Sequence, residues 1–364
     1  MRFPEFCEEW MRCTLGDITE NFSRRNKEEI LYPMFSVTNN KGFIPQSEQF
    51  EDREMIGEDI KAYKIIHKDD FAYNPARINV GSIAKYNEEN PCMISSLYVC
   101  FKTNPKIDND WMMQLLKTPK MNFYYNINGE GGVRIYLFYP NFARIKTSYP
   151  TLKEQQKISS FLTLLDARIA TQNKIIEQLQ SLIKGIYDKV FTNFSEYNTL
   201  STICEIQKGQ QVNGEELSEY GEYYVMNGGI EPSGYYDKYN TLPDTISISE
   251  GGNSCGYVQF NTVPFWSGGH CYSLQDINIE YSTHFVYHYL KSKEKEIMAL
   301  RIGSGLPNIQ KKELEKFPIP VLSLEIQISI VNGINKIETK LKHEKDILSA
   351  YQTQKAYLLR NLFI

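Results

Sequence analysis

The stretch Ile158–Val190, ISSFLTLLDARIATQNKIIEQLQSLIKGIYDKV, decides how this chain is read. Apolar residues fall at Ile158, Leu162, Leu165, Ile169, Ile176, Leu179, Ile183, Ile186 and Val190, Gln172 fills the one polar step, and the intervals alternate four and three. That is the spacing of a helix whose seam repeats every 3.5 residues and must meet a partner helix. The stripe returns at Ile330, Ile334, Ile337, Leu341, Leu348, Tyr351, Leu358 and Leu362, with Glu344 and Lys355 in its polar steps, every position displaced by 172. An ordinary amphipathic helix follows a wider stripe of period 3.6, so a 3.5 period held for about four heptads points to a coiled coil. The partner of each helix is the other. From Leu152 to Val190 the first helix makes a rod of roughly 58 Å.

The repetition extends upstream. Pro150-Thr-Leu-Lys-Glu-Gln-Gln-Lys-Ile158 parallels Leu322-Ser-Leu-Glu-Ile-Gln-Ile-Ser-Ile330, which makes Thr151 and Ser323 the expected N-caps, with Glu154 completing a capping box in the first copy only. Pro318 and Pro320 end an extended approach to the second helix. The chain therefore divides into a globular segment over 1–150, a helix over 151–194, a second globular segment over 195–321 and a second helix over 322–364.

At 364 residues and 41% hydrophobic content the chain suits two domains with real cores plus the helices. Its seven cysteines lack any C-x-x-C pair, which favours reduced thiols in a cytoplasmic protein, and no stretch approaches a membrane span. The net charge of −4 is uneven: the segment 195–321 carries −7, 1–150 carries −1, and the two helical segments carry +2 each. No segment has the basic excess expected of a domain that binds nucleic acid unaided, so a DNA-binding reading requires locally clustered cations or a partner that supplies phosphate contacts.

Within the globular segments, Phe35-Ser-Val-Thr38 running into Asn39 and Asn40 resembles Tyr223-Tyr-Val-Met226 running into Asn227 and Gly228, both read as a strand entering a turn. Two short strands flank a polar loop at Phe71–Ala84 and again at Ile246–Val258. A helical stretch follows in each, around Trp111–Tyr125 and Thr283–Leu300, and then a glycine-rich loop, Gly129–Ile135 set against Gly303–Ile309. Short β-rich runs with one helical insertion, present twice, give an α+β fold class: two similar mixed domains separated by two long helices that form a coiled coil, a pseudo-twofold internal repeat.

No catalytic constellation emerges. His270 beside Cys271 reads as structural, since five histidines with no second Cys/His pair at ligand spacing give no metal set. The loop at Gly129 lacks the Gly-Lys-Ser/Thr ending of a phosphate loop. Asn74-Pro75 and Asn104-Pro105 read as turns, lacking the second proline and aromatic of an adenine methyltransferase signature. The loop polar residues carry more: arginine matches the guanine O6/N7 edge and asparagine the adenine N6/N7 edge, which makes Arg77, Asn79 and Asn253 candidates for base reading. Arg134, Arg301, Asn308, Lys311 and Lys312, in and beside the second loop, are candidates for phosphate or base contact.

The duplicated layout, the helix entry at Pro150–Ile158, the Leu165-Asp-Ala-Arg-Ile169 continuation and the Gly-Ser-Gly-Leu-Pro-Asn-Ile loop at 303–309 before Pro318 together resemble the DNA-specificity subunits of type I restriction-modification systems. The resemblance implies two target recognition domains reading a bipartite site on double-stranded DNA, held apart by the helix pair as an antiparallel coiled coil, with facing residue numbers adding to about 520. It implies as partners two modification subunits, which bind S-adenosylmethionine and methylate adenine, and restriction subunits that cleave. This chain would then hold no cofactor and perform no chemistry. The competing reading is a duplicated ligand- or protein-binding scaffold on a coiled coil, which the acidic segment 195–321 favours.

Overall fold

The computed structural model describes residues 2–49, 60–132, 135–303, 305 and 307–363. They form two compact units: Met1–Gln172 with Ile347–Ile364, and Asn173–Asp346. Each unit thus takes its globular segment together with half of each long helix, Leu152–Val190 and Leu324–Asn361. The division in the central helix falls at Gln172, the polar step of the first stripe.

In the first unit a four-stranded antiparallel sheet runs in the order Thr19–Phe22, Val99–Thr103, Phe71–Tyr73, Ile83–Lys85. The second unit repeats it as Glu205–Lys208, Cys271–Gln275, Thr245–Ser249, Val258–Asn261. The central strand of the second sheet, TISIS, shows how sequence selects the faces: Ile246 and Ile248 enter a core with Val258, Leu274 and Ile297, while Ser247 accepts a hydrogen bond from Asn261 Nδ2 at 3.0 Å on the other face. A two-stranded ribbon leads into each long helix, Met11–Thr14 with Lys146–Tyr149 and Tyr197–Thr199 with Pro318–Pro320. The single helical stretch expected in each segment is broken in two. Thr118 ends Asn109–Leu116 and caps Pro119–Asn128 by accepting from Met121 N at 3.2 Å, and Lys293 separates Thr283–Ser292 from Glu294–Ala299.

Every position of both stripes is buried or half-buried, as a seam requires. In the first unit Ile158, Leu162 and Leu165 share a core with Leu358, Leu362 and Phe363, flanked by Ile169 and Tyr351, and Lys355 in its polar step pairs with Asp166. In the second unit Phe191, Val331 and Ile334 share a core flanked by Ile186, Tyr187, Val190 and Ile330, and Tyr187 OH donates to Glu338 Oε1 at 3.5 Å. Residue 166 therefore meets 355 while 187 meets 338, the antiparallel order, within about one turn of the expected register.

The helix entries correct one expectation. Glu154 does not complete a capping box with Thr151: its carboxylate is fully buried and accepts from Arg2 Nε and Nη2, each at 2.7 Å, and from Trp10 Nε1 at 3.4 Å. A bidentate guanidinium is the stronger partner for a carboxylate taken out of water, and it raises the Arg2 pKa above its ordinary value. The next residue carries an arrangement that both units share. Gln155 accepts from Asp108 N at 2.8 Å and donates to Lys106 O and Pro150 O at 3.0 and 2.9 Å. Gln327, displaced by 172, accepts from Ser282 N at 2.8 Å and donates to Glu280 O and Leu322 O at 2.9 Å each. Both side chains are fully buried and pin the loop ahead of a domain helix to the start of a long helix.

Candidate nucleic-acid interface

Each sheet ends in polar loops. In the first unit, strand Phe71–Tyr73 runs into Asn74, whose Oδ1 accepts from Ala76 N at 3.0 Å, an Asx turn like the one Asn104 makes with Lys106 N at the same distance. Both Asn-Pro pairs are thus turns. The chain then makes a short 3₁₀ turn, Ile78–Val80, preceded by Arg77 and ended by Gly81 at φ 99°. Only glycine holds that conformation cheaply, and it lets the loop fold back on Asn39, whose carbonyl oxygen would lie 3.4 Å from any Cβ at this position. Arg77 is left exposed between two recesses, one lined by Thr38, Asn39, Gln46 and Tyr98, the other by Asn79, Val80 and Ile135. Asn79 donates to Asn126 Oδ1 at 3.1 Å, which fixes its amide to a helix rather than leaving it free to turn. Arg134 lies outside the described residues.

In the second unit five glycine-bearing loops converge. Gly209 N donates to Cys271 O, Gln210 N to Ser267 O and Gly268 N to Met226 O, each at 2.8 Å; Ser249 Oγ donates to Gly228 O at 2.9 Å, Glu250 N to His270 O at 2.9 Å, and Gly252 N to Pro307 O at 3.0 Å. Glycine is required at the closest crossings, since a Cβ on Gly209 would lie 2.3 Å from Gly268 O and one on Gly228 would lie 2.7 Å from Gly251 O. Asn253, Arg301 and Asn308 are exposed around this convergence. Lys311 is not part of it: it faces Thr202 and Asp276 in a separate recess, with Glu315 Oε1 at 3.8 Å. Lys312 is exposed on the same short helix, Lys311–Glu315.

The glycine-rich hairpins correspond, but not in the register their glycines suggest. Glu130 pairs with Tyr136 in the first unit and Ile302 with Asn308 in the second, again displaced by 172, and Gly131 and Gly303 take the left-handed conformation at φ 111° and 95°. Ile135 and Tyr136 therefore stand opposite Pro307 and Asn308, in place of the Val133 and Arg134 that aligning the glycine runs had put there.

His270 stands at the second unit's loop convergence with its ring exposed. Its neighbour Cys271 is buried at the start of a strand, its thiol pushed up to about 11 by burial, whereas the His270 side chain is 62% exposed. Its Nδ1 lies 3.5 Å from Glu250 Oε2. Glu250 is itself buried, and its other oxygen accepts from Lys208 Nζ at 2.6 Å and Tyr272 OH at 3.1 Å. Sequence inspection missed this group because its members are scattered over 208–272; the Gly268-Gly269 pair directly before a histidine was the available signal. Among the described residues there is no cluster of three or more metal-ligating side chains and no helix long and apolar enough to cross a membrane.

The model of the type I restriction modification DNA specificity domain matches this chain twice, over residues 7–181 and 195–350. The chain belongs to that family. A type I specificity subunit of Mycoplasma pneumoniae is 31% identical over 167 residues, and the match covers 45% of this chain and 44% of that relative, so the two align over less than half their lengths. A type I restriction enzyme specificity subunit of Methanocaldococcus jannaschii is 25% identical over 95% of this chain and 92% of its own. The crystal structure of the type I restriction-modification S subunit from M. genitalium superposes with a TM-score of 0.68 at 19% identity, covering 98% of this chain and 96% of that one. Each match covers one four-stranded sheet and most of the long helix that follows it, Leu152–Val190 in the first and Leu324–Asn361 in the second.

Proposed function

We propose that this chain is the subunit that reads a bipartite site on double-stranded DNA, one half-site per unit, and so directs adenine methylation, or cleavage, by partner subunits. The observation that carries the reading is the repetition of one specificity domain with the sheet retained and the loops changed: Arg77 with Asn39 and Asn74 in the first unit, Asn253, Asn308 and His270 in the second. A constant scaffold presenting different donors and acceptors is what two different half-sites demand. The modification subunits supply S-adenosylmethionine and the methyl transfer, and this chain supplies the choice of sequence. Restriction subunits join the same assembly for cleavage in the cytoplasm. The acidic balance of 195–321 fits this division of labour, since partners then contribute the phosphate contacts that this segment lacks.

The test is the assembled methyltransferase acting on duplexes with one half-site randomised at a time. Arg77→Ala is expected to weaken discrimination at one position of the first half-site by a factor of about 5 to 100, the range of one good side-chain-to-base pair, and to leave the second half-site as it was. Unchanged discrimination in both half-sites would remove Arg77 from the reading set.

A further inference from the structure

We propose that His270 reads a base in the second half-site and that Glu250 positions it, fixing which ring nitrogen faces the DNA. The inference rests on the recognition function proposed above and adds the residue and the kind of base edge.

Comparison of the two sheets shows that the fold itself does not require this group. Matching the strand pairs whose side chains enter the helix-side core, Phe71 with Phe101 and Ile246 with Leu274, places Ser23 where the second unit has Lys208, Leu97 where it has His270, and Val99 where it has Tyr272; the strand end that carries Glu250 carries Pro75 instead. The first unit therefore builds the same sheet with no carboxylate there. In the second, a carboxylate that is 7% exposed is buried at a loop convergence with Oε1 satisfied and Oε2 without a hydrogen-bond partner among the described residues. A buried carboxylate oxygen left unpaired is costly, and the exposed His270 ring brings Nδ1 to 3.5 Å from it. The backbone of His270 is held from the other side, its N–H donating to Asn227 Oδ1 at 2.9 Å.

A carboxylate only accepts, so the ring hydrogen that faces Glu250 sits on Nδ1. In the neutral ring Nε2, on the exposed edge, is then an acceptor. Its complement in the major groove is an exocyclic amino group, adenine N6 or cytosine N4. Replacing Glu250 by glutamine lets a side-chain NH₂ donate to Nδ1, which moves the ring hydrogen to Nε2 and turns the reader into a donor suited to guanine O6/N7 or thymine O4.

The experiment is methylation by the assembled complex, at pH 8, of duplexes randomised in the second half-site, followed by sequencing of the methylated pool. The wild-type complex is expected to require A or C at one position. His270→Ala should flatten the preference there about tenfold, and Glu250→Gln should shift it toward G or T, while the first half-site stays unchanged in both. His270→Ala alters an exposed side chain and keeps the fold, so an unchanged second half-site in that variant overturns the proposal, whatever Glu250→Gln does to folding. A wild-type complex with no sequence preference in either half-site would instead overturn the recognition function on which the proposal stands.

Discussion

Replacing Gln327 by alanine is expected to destabilise the second unit by about 2–4 kcal/mol. The side chain is fully buried and its amide makes three hydrogen bonds, so truncation orphans the Ser282 N–H and the carbonyls of Glu280 and Leu322, where no neighbouring group stands ready to replace it. The loss falls where the loop ahead of Thr283–Ser292 is tied to the start of the C-terminal helix, so it loosens the attachment of the domain to the helix pair rather than the sheet alone. Amide hydrogen exchange read over peptides from 272–300 should rise by two orders of magnitude or more, while peptides from 99–128 in the first unit stay protected. Gln155→Ala should reverse the pattern, since it removes the same three bonds from Asp108, Lys106 and Pro150. Gln156→Ala, an exposed neighbour on the same helix, is the control and should change neither. Unaltered protection in Gln327→Ala would show that the latch contributes nothing.

Acidification from pH 7 to 5 is expected to cost the second unit about 2 kcal/mol through one residue, His288. Its ring is 1% exposed, accepts or donates at Nδ1 with Tyr187 OH at 2.9 Å and meets Asn335 Oδ1 at 3.2 Å through Nε2. Burial pushes its pKa down to about 4. The unfolded chain takes up a proton near the ordinary value of about 6.5 and the folded unit only near 4, so the stability contributed by the neutral ring is complete above 6.5 and is lost as pH falls from 6.5 toward 4. Glu338, 3.9 Å from the same ring, has its pKa raised by burial, so its protonation acts in the opposite sense and offsets part of the loss. Of the other groups packed around the ring, Tyr187 and Tyr287 titrate only above the window, and His284 disfavours a second charge nearby. His288→Gln, which places in the second unit the residue type that Gln114 supplies in the first, should abolish the pH dependence between 7 and 5. A wild-type unit equally protected at both values would mean that the ring titrates in the fold as it does in the unfolded chain.

The helices were legible in sequence because their partner is another copy of the same pattern. Period and displacement alone specify which residues meet, and Asp166 against Lys355 follows within a turn. The same displacement of 172 carries into the glycine hairpin, where matching by glycine content slipped the alignment by two residues. Backbone conformation, not composition, is repeated there: Gly131 and Gly303 both lie at positive φ, while Gly132 has no glycine opposite it. What sequence could not show depends on long-range pairing. Glu154 looked like a capping residue until Arg2, from the far end of the segment, reached it first. His270 read as structural because no second Cys/His pair stands at ligand spacing. Lys208, Glu250 and His270 lie far apart along the chain, and only the sheet register assembles them. Lys311, three residues beyond Asn308, lines a separate recess with Asp276.

The claim that each unit reads one half of a divided target is tested most directly by mapping methylated adenines across the genome of cells that carry this gene and of cells from which it has been removed. The account predicts one methylated motif, made of two short specified parts separated by unspecified bases, that is present with the gene and vanishes without it. The same motifs in both cell lines, or a gene-dependent motif with a single uninterrupted part, would contradict it.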